Sequence, residues 1–396
     1  MSEARQAGDT ERGGDRSPGR APERREGFLP GEIAIALSHW DLGVIDSVRE
    51  LPRGSGSSPK LVIRCERGLL LCKRRSGPGA DAKRLALAHG VQRHLAARKF
   101  PVARLIGTRR EQAACVRLGD RVYELFEFVE GAPYDHSVGA TRSAGETLAR
   151  LHRLAADYRP DWAPEGAGYH DRHAVLAELD ALPGALERLR GELAPASREA
   201  IGRLREAYDD AARQVNEAGL PAWPKQVIHA DWHPGNLLFR GEGDQARVAA
   251  VIDFDTVRVA PRAVDLAAGA LQFSITRGSD DPDSWGETPD MARFAAFCAG
   301  YDAIEGCRVS LAEIRAIPPL MVESLIVEAL APIAATGSFA RMEGGAFLRM
   351  IDRKVGWLRA NADALREAIT GGVAPDSATA SGTAPDTTQD ATGRDA

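Results

Sequence analysis

Between Val44 and Arg74 short apolar runs alternate with turn-forming residues, in the order "VIDSVREL", "PRGSGSSPK", "LVIRCE", "RG" and "LLLCKR". Runs of this length, rich in Val, Ile and Leu and bounded by Gly, Pro and Ser, predict three antiparallel strands. In residues 81–99, Leu85, Ala88, Val91 and Leu95 recur at helical spacing, which predicts one amphipathic helix. "FPVARLIGT" and "ACVRLGDRVYELFEFVEG" predict two or three further strands, the last ending at Gly131. The first part of the chain thus reads as a small sheet carrying one helix.

After Gly131 the pattern changes to period 3.6. "SAGETLARLHRLAADY" reads as a helix, and residues 174–218 as a long helical region broken near Pro183 and Pro195. "QVIHADW" and "VAAVIDFD" are two short apolar runs that predict a pair of strands around the loop "HPGNLLFRGEGDQAR". From Ala263 to Ile369 the text is helical again. Residues 1–27 and 371–396 carry almost no large apolar side chains and are expected to be disordered tails. The expected division is residues 28–131 as a small strand-rich unit and 132–370 as a mainly helical unit.

Composition narrows the function classes. A length of 396 residues predicts roughly two to three domain-sized units. The net charge of -5 provides no basic footprint for nucleic acid. Five cysteines without a CxxC spacing suggest neither a disulfide framework nor a zinc ribbon and fit a reducing cytoplasm. The N-terminus lacks the apolar core of a signal peptide, and no stretch approaches about 18 uninterrupted apolar residues, so no membrane partner is expected. With only six lysines in the chain, Lys73 inside the apolar run "LLLCKR" stands out.

The chemistry concentrates in "VIHADWHPGN", residues 227–236, which admits three readings: a metal cage, a structural turn or a catalytic loop. His229, Asp231 and His233 are ligand-type residues at close spacing. No histidine follows His233, so a zinc site would have to complete itself from upstream. His229 and His152 read as buried hydrogen-bonding residues. Asp231 and Asn236 stand five apart across a Pro234-Gly235 turn, and Asp253 ends the run "VAAVID" seventeen residues later. Phosphoryl transfer needs one carboxylate facing the acceptor hydroxyl, and an amide oxygen and a second carboxylate on magnesium. Gly54, Ser55, Gly56, Ser57 and Ser58 form a turn whose amides can approach an anion, or simply connect strands.

"HADWHPGN" followed by "VIDFD" resembles the catalytic loop and metal-binding strand of the aminoglycoside phosphotransferase and choline kinase group, a small-molecule branch of the protein-kinase-like fold that includes spore-coat-type and homoserine kinase-like members. "VAPRAVDLA" and "ETLARLH" extend the resemblance, which spans roughly Trp40 to Thr370. It implies an α+β, two-lobed fold with a small antiparallel-sheet N-lobe and a mainly helical C-lobe. It implies an ATP- and Mg2+-dependent phosphotransferase acting on a hydroxyl of a small alcohol, amino alcohol or sugar. Asp231 would orient or deprotonate that hydroxyl. Asn236 and Asp253 would ligate magnesium, with Asp255 supporting a second metal or the substrate. Lys73 would hold the nucleotide phosphates, the turn at Ser55, Gly56 and Ser57 would cover them, and backbone groups of Glu127 and Val129 would meet the adenine. Asp265 would anchor the loop by accepting backbone N–H bonds. Trp232 and Trp285 could line the acceptor pocket or simply fill a core.

Two departures stand out. The helix over residues 81–99 has no glutamate to pair with Lys73, only His89 and Gln92 as polar candidates, and the turn lacks a full Gly-x-Gly-x-x-Gly pattern. The alternative expectation is therefore a kinase-like nucleotide-binding scaffold without turnover. A kinase for protein side chains is disfavoured by the few residues between Asp253 and Pro261.

Overall fold

A computed structural model describes residues 27–51, 58–164, 168–276, 278 and 281–372. Most of both expected tails, and the expected phosphate cradle at Ser55, Gly56 and Ser57, lie outside the described residues. The chain divides into two compact units, one holding the described residues up to Gly131 together with 160–164 and 250–257, the other holding the remainder.

The first unit contains α1 (Pro30–Leu37), β1 (Ile45–Leu51), β2 (Lys60–Cys65), β3 (Gly68–Arg75), α2 (Ala82–Ala97), β4 (Cys115–Leu118) and β5 (Arg121–Glu127). The strands form an antiparallel sheet in the order β1-β2-β3-β5-β4. Leu118 pairs with Arg121, so Gly119 and Asp120 close a two-residue turn, and Gly119 takes the left-handed φ of 63° that such a turn requires. Alternation assigns the faces. Leu61, Ile63, Leu70, Cys72, Tyr123 and Leu125 form one buried cluster with Leu37 and Trp40. On the other face Val122 packs with Leu85 of α2, and the same alternation places Lys73, Arg75 and Glu124 there.

The stretch "FPVARLIGT" forms no ladder. Ile106 N–H donates to Leu125 O and Glu127 N–H to Arg104 O, along the part of β5 that lies beyond its pairing with β4, which stops at Glu124. Isolated bridges join Val102 to Val251 and Leu105 to Phe126. The edge of β5 is thus shared between two short segments, neither long enough to read as a partner from its own pattern.

The second unit contains α3 (Val138–Ala155), α4 (Arg172–Arg190), α5 (Pro195–Glu217), β6 (Gln226–Ile228), β7 (Leu237–Arg240), β8 (Arg247–Val251, which ends in the first unit), β9 (Arg258–Ala260), α6 (Ala263–Ser274), α7 (Met291–Asp302), α8 (Leu311–Thr336), α9 (Gly344–Ala360) and α10 (Ala362–Gly372). The expected strands at 226–228 and 247–251 exist but take other partners: β6 pairs with β9, and β7 with β8. Pro183 does not break α4. A proline inside a helix costs about 3 kcal/mol, which burial of Val175, Leu179, Leu182 and Leu186 at about 1.5–3 kcal/mol each offsets. Helix α8 is long and apolar enough to cross a membrane by composition, yet 78% of its most apolar window is buried inside the fold.

Helices α3 and α7 meet backbone to backbone. A Cβ added to Gly145 would stand 2.1 Å from Phe297 O, and one added to Gly300 would stand 2.2 Å from Arg142 O. Only glycine permits that approach, and it sets His152 of α3 beside Tyr301 of α7.

Candidate active site

The loop after β6 is built around a buried carboxylate. Asp265, in the first turn of α6, accepts from His229 N–H and Ala230 N–H, both at 2.7 Å. His152 Nε2 donates to the same carboxylate at 3.2 Å, and the Tyr301 hydroxyl donates to His152 Nδ1 at 2.7 Å. Asp265, His229, His152 and Tyr301 are buried. Ala230 has φ 61°, a left-handed conformation that costs a non-glycine residue about 1–2 kcal/mol. Two charge-assisted hydrogen bonds on the adjacent amides hold it there. Asp265 thus acts as the anchor expected from the sequence, and His152 and His229 are buried props.

That bend presents Asp231. Asn236 Nδ2 donates to Asp231 Oδ2 at 2.8 Å and to Asp231 O at 3.0 Å across the Pro234–Asn236 turn. Its amide nitrogen is therefore committed to Asp231, so its oxygen is the atom it has for a cation. His233 caps the turn by accepting from Gly235 N–H at 3.0 Å, and its Nε2 lies 3.6 Å from Asp231 Oδ2. His233, a ligand-type residue by its spacing, has a structural and an electrostatic task here. Burial alone would raise the Asp231 carboxyl, but His233, the charge of His229 and the Asn236 bond outweigh it and hold the group below its ordinary range. With its side chain 38% exposed, Asp231 is an accessible, ionised carboxylate at neutral pH.

Trp232 is buried edge-on to His229 and fills core space. Trp285 packs edge-on to Phe347. Beside the Asp231 loop lies a polar cluster that the sequence did not reveal. Tyr169 Oη donates to Glu328 Oε1 at 3.2 Å and to Ala230 O at 3.4 Å. Ser324 Oγ donates to Glu328 at 3.1 Å, and Gln272 Nε2 also bonds it. Desolvation pushes the half-buried Glu328 carboxyl up to about 7; the Ser324 bond opposes this and the Asp231 charge adds to it.

In the first unit Lys73 is buried, and its Nζ donates to Asp253 Oδ1 at 3.1 Å and to Asp255 Oδ2 at 3.0 Å, 180 and 182 residues along the chain. Asp253 has φ 62°, a strained turn that brings its side chain to Lys73. Arg75 grips both Asp255 oxygens and also pairs with Glu124, whose other neighbour is His89 of α2. Burial would raise Asp255, but Arg75 and Lys73 hold it well below the usual carboxylate range. Glu127 ends β5 with its N–H given to Arg104 O, and Val129 follows, half-buried. Arg75 and Glu124 were missed because single charged residues in strands carry no motif.

The Asn236 amide oxygen in the second unit and the Asp253 carboxylate in the first, 39% exposed, are each a hard oxygen donor of the kind magnesium takes. Among the described residues no three His, Cys, Asp or Glu side chains gather in a metal-holding group. His229, Asp231 and His233 serve the turn and the core instead of a zinc cage.

Comparison with known proteins agrees with this chemistry. The model of the phosphotransferase enzyme family matches residues 47–308. The homoserine kinase of Beijerinckia indica subsp. indica is 28% identical over 294 residues, covering 73% of this chain and 80% of that protein. The homoserine kinase of Granulibacter bethesdensis is 27% identical over 308 residues, covering 73% and 81%. Among solved structures, an aminoglycoside phosphotransferase from Alicyclobacillus acidocaldarius aligns with a TM-score of 0.60 at 21% identity, covering 89% of this chain and 98% of that one. A microcompartment-associated aminopropanol kinase also reaches 0.60, at 17% identity, covering 83% and 96%. The chain belongs to the phosphotransferase enzyme family and is a small-molecule kinase of protein-kinase-like α+β fold that transfers a phosphoryl group to an alcohol hydroxyl.

Proposed function

We propose that the phosphoryl donor is ATP, used with Mg2+, and that the acceptor is a small amino alcohol of the homoserine type. The observation that carries the reading is the Asp231–Asn236 pair, fixed across its turn by Asp265. Asp231 accepts a hydrogen bond from the acceptor hydroxyl and aims its oxygen at the γ-phosphorus. Its lowered carboxyl makes it a weak base, so it acts mainly by orientation and takes the proton late. Asn236 and Asp253 would each offer an oxygen donor to Mg2+, which when bound would neutralise charge on the phosphates. Lys73 neutralises a non-bridging phosphate oxygen. Backbone groups of Glu127 and Val129 would meet the adenine, while Ser55, Gly56 and Ser57, which would cover the phosphates, lie outside the described residues.

Glu328, beside Asp231, supplies the charge that an ammonium group seeks, and the homoserine kinase relatives act on an alcohol bearing one. The test is a panel of homoserine, choline, ethanolamine, aminopropanol, glycerol and a hexose, incubated with ATP and Mg2+ and assayed for the phosphorylated product by mass spectrometry. We expect product with at least one amino alcohol, lost in Asp231→Ala. Nucleotide binding with no Asp231-dependent product on any acceptor would replace the enzyme reading with a nucleotide-binding scaffold.

A further inference from the structure

Lys73 is a buried cation, and α2, packed on its face of the sheet, contains neither aspartate nor glutamate. The nearest carboxylate by register is Glu124, directly across from Lys73 in the β3–β5 ladder. Lys73 does not take it. Both Glu124 oxygens are engaged by Arg75 and by His89. Period two explains the exchange: Lys73 and Arg75 share one face of β3, while Arg74 points to the other and pairs with Glu32 at 2.8 Å. Lys73 therefore turns to Asp253 and Asp255, and these two differ. Of the described basic groups, Asp253 takes only the Lys73 ammonium, whereas Asp255 takes that ammonium and the fork of Arg75 on both of its oxygens.

We propose that Asp255 is a positioning residue, the fixed partner of Lys73 in place of the absent helix glutamate, and that Arg75 and Glu124 hold it there while His89 ties the chain of charges to α2. The proposal rests on Lys73 being the phosphate-binding lysine. It changes the role expected for Asp255 from the sequence. A carboxylate with both oxygens occupied by a guanidinium fork is poorly placed to give them to a divalent ion, and Asp253 has no such competitor. A planar fork also fixes orientation, which a lysine at position 75 could not do with the same charge.

The test is a double-mutant cycle on nucleotide binding. The dissociation constant for ATP at saturating Mg2+ is measured by displacement of a fluorescent nucleotide from wild type, Arg75→Lys, Lys73→Met and the double variant. Arg75→Lys preserves every charge and is expected to weaken binding about tenfold, the scale of one charge-assisted hydrogen bond. In the Lys73→Met background it should add no further loss, because its effect passes through Lys73. If Arg75→Lys fails to fold, Glu124→Gln enters the same cycle with the same expectation. A second arm titrates Mg2+ at fixed ATP: Asp253→Asn should raise the midpoint several-fold, and Asp255→Asn should leave it within about twofold of wild type. Equal losses in both lysine backgrounds, or a midpoint raised by Asp255→Asn as much as by Asp253→Asn, would overturn the assignment. Wild-type protein that binds no nucleotide would sink this role and the nucleotide reading together, whereas wild-type-like binding by Arg75→Lys and Glu124→Gln would sink this role alone.

Discussion

Asp231 carries one oxygen bonded to Asn236 and lies 3.6 Å from His233, so its charge is stabilised before any ligand arrives. A carboxyl with a depressed pKa stays ionised down to that lowered value, so the acid limb of kcat should lie below the ordinary aspartate range near about 4. His233→Ala removes the first group that opposes burial and should move the limb upward; a limb that does not move would contradict the role given to His233. Glu328 titrates in the opposite sense. Its carboxyl is pushed up to about 7, so it neutralises as pH falls through that value, and KM for an amino alcohol should rise there while kcat does not. Glu328→Gln should flatten that rise, and a KM profile identical to wild type would remove Glu328 from the acceptor site. The same shift predicts that folding stability falls as pH rises from about 4.5 to about 7, where the folded chain holds a proton that the unfolded chain has lost. For Asp265→Asn one N–H bond in the buried loop is left without its charged acceptor, and urea unfolding should show a loss of about 2–4 kcal/mol. The spacing of Asp231, Asn236 and Asp253 made the chemistry legible because a turn fixes short-range geometry. Tyr169, Gln272 and Glu328 were not legible, since their only signal is convergence from three distant segments.

At the scale of elements, the site depends on how closely α3 and α7 pack. Gly145 and Gly300 let their backbones touch, and that contact places His152 and Tyr301 behind Asp265. Gly300→Ala forces a Cβ against Arg142 O and should cost about 1–3 kcal/mol by overpacking, read as a lowered melting temperature, with kcat falling as the loop loses its prop. Unchanged stability would mean that the helices separate freely and that the glycines are not needed. The strands of the first unit and the helices of the second were readable from their periods. The pairings β6–β9 and β7–β8 were not, because three- and four-residue strands carry too few alternations to mark a partner. Pro183 misled for a related reason: local propensity favours a break, and four buried apolar side chains outweigh it.

Each unit carries part of the chemistry by itself: Lys73, Asp253 and Asp255 cluster in the first, and Asp231, Asn236 and Glu328 lie in the second. The family match shows the class of reaction, while the acceptor contact proposed for Glu328 lies outside the shared motifs. The proposed task of Asp231 is to direct a phosphoryl group from ATP to a small hydroxyl. It is tested most directly by a single turnover with γ-labelled ATP, Mg2+ and homoserine, following label into the acceptor for wild type and Asp231→Ala. Transfer is expected in wild type, with a loss of at least about a hundredfold in the variant and ATP affinity changed only a few-fold. Label reaching the acceptor at the wild-type rate in Asp231→Ala would contradict it.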